Sequence, residues 1–281
     1  MDLLERLRLT KLSPHIGAAV EGLDLSRPLD AATCRWLRTA WLDHCILLFR
    51  GQSLSEDDQV RFAGCFGTVV ERVLNARDAE SRIHPGVMFV SNIRENGQLI
   101  GALPDGEMMF HSDQCYVEKP GMASMLYAIE VPSRGGNTSF ANMYRAYETL
   151  PPEWKHRLAG RVAMNVYDYD KNPTQRGSSG GGLRHAHPVF RTHPETGRKA
   201  LYVNRLMTDH IVGMDREESD RALEYLFEHL ESPEWIYEHV WSPGDLVMWD
   251  NRCAVHARSD FDGSERRLMR RCVLAGDVPF G

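Results

Sequence analysis

The chain has 281 residues, of which 42% are hydrophobic and 26% are charged, and its formal net charge is −6. This composition is ordinary for a globular protein, and the acidic balance, with a pI near 6.1, gives no reason to expect nucleic acid as a partner. No apolar run approaches the length of a membrane span, and the first residues lack the apolar core of a signal peptide, so we expect a cytoplasmic protein without a membrane partner. The six cysteines include no CxxC pair, which favours reduced thiols in that compartment.

The beginning of the chain predicts a layer in which short strands alternate with helices. Between residues 7 and 22, a loose alternation of apolar and polar side chains is broken by Pro14 and Gly17, which indicates short strands joined by a turn. Asp30 is a suitable N-cap for the first long helix, because apolar side chains recur at helical spacing after it. The elements expected next are a helix over 30–44, a buried strand over 45–49 and a helix that Ser53 or Ser55 caps and Gly67 ends.

The rest of the chain is rich in short strands separated by Gly and Pro turns, and one clear amphipathic helix is predicted over 215–230. The other expected elements are helices over 143–150 and 151–158, strands over 86–91, 123–131, 236–240, 246–249 and 268–274, a strand from 138, and a hairpin over 187–204. This pattern favours a mainly β fold with flanking helices, namely a double-stranded β-helix (a jelly roll, cupin-like). No repeat or second linker is visible, so we expect residues 1–281 to form one domain.

Residues 168–186 form a long stretch with four glycines and little apolar content. Such a segment is typical of a loop at the surface of the protein. Two interpretations stay open, namely a lid over a binding site and a plain connection between strands.

A candidate metal site is centred on His111 and Asp113, which stand two positions apart. In extended backbone, residues i and i+2 project from the same face, so both side chains can reach one metal ion. His256 offers a third ligand far along the chain, and in a jelly roll the three ligands would converge from different strands. Two histidines and one carboxylate on one face of an octahedron suit a non-heme Fe(II) centre that activates oxygen.

The triplet alone is weak evidence, since His-x-Asp sequences arise by chance in chains of this size. His185 and His187 also stand two positions apart, yet no carboxylate is placed to complete a site. We interpret these two as loop or hairpin residues. A metal-dependent hydrolase or isomerase with a His, Asp and His site stays open at this point.

Longer motifs point to one family. The stretches Gly244-Asp-Leu-Val-Met-Trp-Asp-Asn-Arg-Cys-Ala-Val-His256 and Glu265-Arg-Arg-Leu-Met-Arg-Arg271 strongly resemble the taurine/2,4-D dioxygenase family (TauD/TfdA) of Fe(II)- and 2-oxoglutarate-dependent oxygenases. Further stretches that resemble this family are 50–52, 62–67, 135–140 and 191–202. The resemblance therefore covers nearly the whole chain.

The resemblance implies roles for particular residues. His111, Asp113 and His256 match the family's catalytic facial triad for Fe(II). Arg267, eleven residues after His256, matches the arginine that pairs with the distal carboxylate of 2-oxoglutarate, and Thr138 matches the hydroxyl donor to the same group. O2 is the other co-substrate, and 2-oxoglutarate is converted to succinate and CO2.

Arg271 matches the arginine that meets the anionic head of the primary substrate in the taurine branch. Arg267 and Arg271 differ by four positions, so on a strand they face the same way, and a planar guanidinium suits bidentate capture of a carboxylate or sulfonate. Arg266 and Arg270 have the opposite parity. We expect both of them to point outward as solvated charges.

The motifs define the primary substrate only as a small organic anion. Arg72 falls where the taurine branch has a sulfonate-contacting histidine, whereas the stretch 244–253 is closer to the aryloxyalkanoate branch. We therefore expect hydroxylation of a carboxylate, aryloxyalkanoate-like, before a sulfonate, held by Arg271 with help from Arg72 or Asn75. The alternatives are a taurine or alkylsulfonate dioxygenase, and a jelly roll that binds 2-oxoglutarate and metal without turnover. Family members assemble as dimers or larger, so the resemblance implies a homo-oligomer.

Overall fold

The computed structural model describes residues 3–71, 84–101, 106–167 and 182–281. Its α-helices are α1 (Leu3–Arg6), α2 (Ala31–His44), α3 (Glu56–Gly64), α4 (Met143–Thr149), α5 (Pro152–Leu158) and α6 (Arg216–Leu230). Its strands are β1 (Arg8–Lys11), β2 (Ala18–Glu21), β3 (Ile46–Phe49), β4 (Met88–Ser91), β5 (Arg94–Glu95), β6 (Gln98–Leu99), β7 (Met108–His111), β8 (Ala123–Glu130), β9 (Thr138–Asn142), β10 (Val162–Val166), β11 (Arg184–Pro188), β12 (Phe190–Thr192), β13 (Lys199–Leu201), β14 (Thr208–Ile211), β15 (Ile236–His239), β16 (Leu246–Asp250), β17 (Ala254–Arg258) and β18 (Leu268–Leu274). Within the described ranges, no helix combines the length and the apolar character that crossing a membrane requires.

Two β-sheets pack face to face and form the centre of the fold. One has seven strands in the order β1-β2-β3-β16-β8-β18-β4, and the other has four in the order β15-β9-β17-β7. Neighbouring strands in both are antiparallel except β2 and β3, which are parallel. Phe140 of the small sheet and Trp249 of the large sheet share one apolar core, with ring centroids 5.5 Å apart. The mainly β jelly roll that the sequence predicts is therefore confirmed.

The large sheet is covered on both faces, and its central strand β16 shows why. Val247 and Trp249 belong to the core between the sheets, whereas Leu246 and Met248 belong to a second apolar cluster that includes residues of α2 and α3. Successive side chains of a strand point to opposite faces, so a strand that is apolar on both faces must be covered twice. The helices near the start of the chain supply the second cover.

Both of these helices begin where the sequence predicts. The carboxylate of Asp30 accepts a hydrogen bond from the backbone N–H of Thr33 at 2.7 Å, and Ser55 forms a capping box with Asp58 at the start of α3. Cys45 ends α2 in the left-handed conformation, with φ 64°, so the chain turns directly into β3. All four residues of β3 are buried, as the apolar run predicts.

Several strands are present that the sequence pattern does not predict. β10 pairs with β11 and β14 in a separate three-stranded sheet, and β7 and β17 lie side by side in the small sheet. Each of β7, β10, β14 and β17 has only four or five residues and mixes polar with apolar side chains, so its alternation is too short to recognise alone. β11 begins at Arg184, within the stretch predicted as a loop. The remainder of the possible lid, 168–181, lies outside the described residues.

Candidate active site

The two histidines of the candidate metal site are neighbours on paired strands. His111 ends β7 and is the cross-strand partner of His256 in β17, with ring centroids 4.1 Å apart. Asp113 lies in the turn after β7, so the three groups come from two adjacent strands and a turn, and not from three different strands. Oδ1 of Asp113 is 4.0 Å from Nε2 of each histidine. All three candidate ligand atoms lie within 4.8 Å of one another, close enough for one metal ion to contact them.

Hydrogen bonds orient these candidate ligands. Nδ1 of His111 donates to the carbonyl oxygen of Met109 at 2.9 Å, which leaves Nε2 for a metal. The hydroxyl of Ser124 donates to Oδ2 of Asp113 at 2.5 Å, and the side-chain amide of Asn251 donates to Ser124 at 3.3 Å. Oδ1 is therefore the carboxylate oxygen that faces the imidazoles. Neither Ser124 nor Asn251 is predictable from the motifs, because both act through another side chain.

Burial and charge set protonation states that suit metal binding. Burial lowers the pKa of His111 and of His256, so both imidazoles are neutral at pH 7. Burial works against ionisation of Asp113, but the positive charge of Arg271, the two imidazoles and the hydrogen bond from Ser124 together outweigh it, so the pKa of Asp113 lies well below its usual value. Two neutral imidazoles and one carboxylate are the donors of non-heme Fe(II) sites with open positions. The residues present therefore fit Fe(II).

The three groups open into a cavity of about 330 Å³, the active-site cavity. Apolar and aromatic side chains form much of its wall: Met88, Val90, Met108, Tyr116, Leu126, Tyr167, Leu206, Met207 and Trp249. Its polar wall includes Gln114, Thr138, Arg258, Arg267 and Arg271. Among the described residues that line the cavity, Asp113 is the single acidic one. Two expected substrate contacts lie outside the described residues, namely Arg72 and Asn75.

Arg267 is a buried cation at this cavity. The residue is 1% exposed, and its Nε and Nη1 have no hydrogen-bond partner in the described part of the chain. Burial, together with the nearby charge of Arg258, lowers the pKa of Arg267 to about 9. Gly136, with φ 64°, leaves room beside the guanidinium, since a Cβ there would lie 3.4 Å from Nε. Oγ1 of Thr138 accepts a hydrogen bond from Trp241 at 3.0 Å, so its own hydrogen remains available to donate. This end of the cavity fits a carboxylate.

Arg271 lies beside the candidate metal ligands, and its Nη2 is 3.2 Å from Oδ1 of Asp113. Arg267 and Arg271 both line the cavity, as their spacing predicts. Arg258 lines it too, although none of the sequence motifs indicates this residue. The available signal was its position two residues after His256 on β17, which puts both side chains on one face of the strand.

The other two arginines near β18 differ from each other. Arg266 is exposed and pairs with Glu130 at 2.7 Å, as expected of a solvated charge. Arg270 is 7% exposed, and its guanidinium lies over the ring of Tyr127, 4.8 Å from the centroid. The expectation that Arg270 is solvated was wrong because α3 packs against this face of β18 and the chain just before α3 accepts a hydrogen bond from Arg270.

A second group of possible metal ligands consists of His193, Asp250 and Cys253. Arg252 donates from Nε and Nη2 to the two carboxylate oxygens of Asp250 at 2.8 and 2.7 Å, and His193 contacts the same carboxylate at 3.0 Å. The guanidinium already supplies the positive charge that a metal would bring. We therefore interpret the group as a buried ion-pair network that joins the turn after β16 to the turn between β12 and β13.

Comparisons with known proteins agree with this geometry. Residues 8–273 match the model of the family described as "Taurine catabolism dioxygenase TauD, TfdA family". The pentalenolactone F synthase of Streptomyces avermitilis is 35% identical over 94% of this chain and 92% of its own length. The alpha-ketoglutarate-dependent 2,4-dichlorophenoxyacetate dioxygenase of Cupriavidus pinatubonensis is 32% identical over 95% and 97%. The crystal structure of AAD-2 in complex with Mn(II) and N-oxalylglycine superposes on this one with a TM-score of 0.82. The match covers 97% of this chain and 98% of that one, with 30% sequence identity.

The jelly roll and its candidate site of two histidines and one carboxylate are typical of non-heme iron oxygenases. More particularly, the chain belongs to the TauD/TfdA family, and the resemblance found in its motifs is confirmed. It is an Fe(II)- and 2-oxoglutarate-dependent dioxygenase that consumes O2.

Proposed function

We propose that this dioxygenase hydroxylates a small carboxylate, aryloxyalkanoate-like, at the carbon next to the carboxylate group. In this proposal His111, Asp113 and His256 hold Fe(II). The observation that carries the proposal is the lining of one cavity, which these three groups share with Arg271, 3.2 Å from Asp113, and with the buried Arg267, four positions earlier in the chain. The cavity therefore offers two separate cationic positions for two anionic molecules beside one metal site.

Arg267 and Thr138 bind the distal carboxylate of 2-oxoglutarate. A buried guanidinium without an anion is costly, and a carboxylate offers two oxygens that match its planar fork. The hydrogen of Thr138 adds a further donor to the same group. The other end of 2-oxoglutarate is thereby directed towards the metal ligands, which line the same cavity.

Arg271 binds the carboxylate of the primary substrate. Its guanidinium lies beside Asp113, so an anion held there has its adjacent carbon close to the metal ligands. This carbon is the one we expect to react. Because Arg271 fixes the position of this carbon beside the metal ligands, the reaction needs no further orientation of the substrate.

Bound Fe(II) supplies the activation of O2, with 2-oxoglutarate as the source of two electrons. One oxygen atom enters succinate, CO2 leaves, and the other oxygen atom becomes the hydroxyl group on the substrate carbon. In an aryloxyalkanoate this carbon also carries the ether oxygen. The hydroxyl proton then passes to the ether oxygen as the carbon–oxygen bond breaks, which gives a phenol and a 2-oxo acid.

The cavity wall favours an aryl carboxylate over taurine. Its methionine, leucine and tyrosine side chains suit a flat apolar group, for which desolvation is favourable. Taurine would bring an ammonium group, and Asp113, already committed to the metal, is the single acid among the described lining residues. An alkylsulfonate without an ammonium group stays the second candidate, because Arg271 suits either anionic head.

The test is an anaerobic titration of the apo-protein with Fe(II) and 2-oxoglutarate, followed by the visible metal-to-ligand charge-transfer band. We expect a band in the wild type that is lost in His111→Ala and weakened in Arg267→Ala. Aryloxyalkanoates, alkylsulfonates and amino acids are then added to find which class shifts the band. A larger shift with alkylsulfonates would reverse our order of substrates, and no band with iron bound would contradict the proposed co-substrate site.

We further propose a cytoplasmic homo-oligomer in which residues 1–281 form one domain, with no nucleic acid or membrane as partner. The match of one family model over 8–273 supports the single domain, and six free cysteines support a reducing compartment. Sedimentation equilibrium tests the assembly. We expect a mass of at least twice the 32.0 kDa of one chain, and a mass of 32.0 kDa would contradict the homo-oligomer.

A further inference from the structure

We propose that Arg258 is a second cationic binding residue for the distal carboxylate of 2-oxoglutarate, and that it sets the preference for a 2-oxo acid with two carboxylates. The inference rests on the proposed function, because it takes Arg267 and Thr138 as the distal end of the co-substrate site. It adds a residue that the family motifs in this sequence did not indicate.

The position of Arg258 in the small sheet carries the first step. Arg258 in β17 is the cross-strand partner of Thr138 in β9, and side chains of paired residues lie on the same face of a sheet. His256 precedes it by two positions on the same strand, so it shares that face as well. The face is the one that lines the active-site cavity, since Thr138, His256 and Arg258 are all lining residues.

Charge carries the second step. Arg258 and Arg267 are 7% and 1% exposed, and they are close enough for the charge of Arg258 to lower the pKa of Arg267. Among the described residues, Nε and Nη1 of Arg267 have no hydrogen-bond partner, and the charge of Arg258 disfavours this buried cation further, so an anion that binds beside both stabilises Arg267. A carboxylate has two oxygens and about four acceptor positions, so it can accept hydrogen bonds from two guanidinium groups and one hydroxyl.

The contacts of Arg258 hold its guanidinium in place before any ligand arrives. Its Nη2 donates to the carbonyl oxygen of Gly106, and its guanidinium carbon lies 5.4 Å from the centroid of the Phe261 ring. A preorganised cation loses little side-chain entropy on binding, so its charge contributes directly to affinity. The same contacts permit another role, in which Arg258 only anchors the chain around Gly106. The experiment must separate these two roles.

The experiment compares two 2-oxo acids of equal length in Arg258→Gln. 2-Oxoglutarate has a distal carboxylate, whereas 2-oxopentanoate has a methyl group at that position. Both are titrated anaerobically into the Fe(II)-loaded protein, with the charge-transfer band and isothermal titration calorimetry as readouts. We expect the Kd of 2-oxoglutarate to rise by about tenfold or more, since hydrogen bonds to a charged group are among the strong ones, and that of 2-oxopentanoate to change less than about twofold.

Two variants serve as controls. Arg266→Gln removes an exposed arginine eight residues further along the chain, and we expect it to change neither Kd. Arg258→Lys keeps the charge but not the planar fork, so we expect it to retain most of the discrimination between the two acids. If Arg258→Gln fails to fold, the Kd values of the two acids in Arg258→Lys still test the proposal.

The outcomes are distinct. A rise in the Kd of 2-oxoglutarate alone supports the proposal. An equal rise for both acids, or no change for either, overturns it and assigns Arg258 to structure only. Absence of 2-oxoglutarate binding by the wild type would instead overturn the proposed function itself.

Discussion

Arg267 and Arg271 are only four positions apart and line the same cavity, but their contacts differ. Arg267 is buried without an anionic partner in the described residues, whereas Arg271 already contacts Asp113 at 3.2 Å. We expect Arg267→Ala to raise the 2-oxoglutarate concentration for half-maximal turnover by at least about thirtyfold, because truncating one member of a buried charge pair costs about 2 kcal/mol or more. Arg271→Ala should instead raise the requirement for the primary substrate. Steady-state kinetics with each substrate varied in turn measures both effects.

Arg266→Ala is the matched control for these two variants. Arg266 is exposed and its partner is Glu130, so its removal should change either requirement by less than about twofold, as is usual for surface ion pairs. If Arg267→Ala and Arg271→Ala both affected the primary substrate alone, our assignment of the two arginines would be wrong.

Ser124 supports the candidate metal site through its hydrogen bond to Asp113. Its hydroxyl donates to Oδ2 of that carboxylate at 2.5 Å and so fixes which oxygen faces the histidines. We expect Ser124→Ala to weaken Fe(II) binding by about tenfold or more, the usual effect of removing a hydrogen bond behind a metal ligand. Competition with a chelator of known affinity measures it. Ser112→Ala is the control, because Ser112 donates to the backbone of Asn251 instead, and an equal loss there would contradict a specific role for Ser124.

At the scale of elements, a buried ion pair stabilises the turn between β16 and β17. Arg252 and Asp250 are 2% and 0% exposed at their side chains, and the Arg252 Nη2 to Asp250 Oδ2 distance is 2.7 Å. We expect Arg252→Met to lower the free energy of unfolding by about 3–5 kcal/mol at pH 7, because it leaves a buried carboxylate without its arginine partner. Denaturant unfolding measures the loss.

The pH dependence of that loss follows from Asp250. Arg252 holds the pKa of this carboxyl well below its usual value against the opposing effect of burial, so the pair stabilises the folded state above about pH 4 and this contribution fades as the pH falls further. The difference between wild type and Arg252→Met should therefore shrink in acid. Arg38→Met, which breaks an ion pair between half-buried groups to Glu195, should cost no more than about 1 kcal/mol. A loss that stayed constant down to pH 2 would contradict the ion-pair account.

These elements show how far the sequence alone could lead. The caps at Asp30 and Ser55 and the buried strand β3 were predictable because they depend on neighbours in the chain. β17 was not, because its pattern becomes clear only when β9 and β7 lie on either side. Arg270 was misassigned for a related reason, since parity gives the face of a strand but not whether a helix covers that face.

The candidate site was predictable where motifs supplied the residues, and not where other side chains support them. Thr138 and Arg271 line the cavity with the three candidate metal ligands, so the motif residues do meet. Ser124 and Asn251 have no fixed spacing from His111 or His256, because they reach the site across strands. Only the fold brings such residues together.

At the scale of the whole molecule, the candidate site joins the two sheets. His111, His256 and Thr138 belong to the small sheet, whereas Arg271 belongs to the large one and Arg267 directly precedes the same strand. Ligands that contact both sheets bind the folded state and not the unfolded chain. Binding should therefore increase the stability of the protein as a unit.

Mn(II) with N-oxalylglycine, the pair present in the AAD-2 structure, provides a test without turnover. At 100 times its Kd, a ligand specific for the folded state raises the free energy of unfolding by about 2.7 kcal/mol. We expect a gain of this order from N-oxalylglycine with Mn(II) in urea unfolding of the wild type, and almost none in Asp113→Ala, which removes a candidate metal ligand. If Asp113→Ala gained as much as the wild type, the ion would have to bind elsewhere. The group of His193, Asp250 and Cys253 would then be the place to look, and Asp250→Asn would distinguish the two sites.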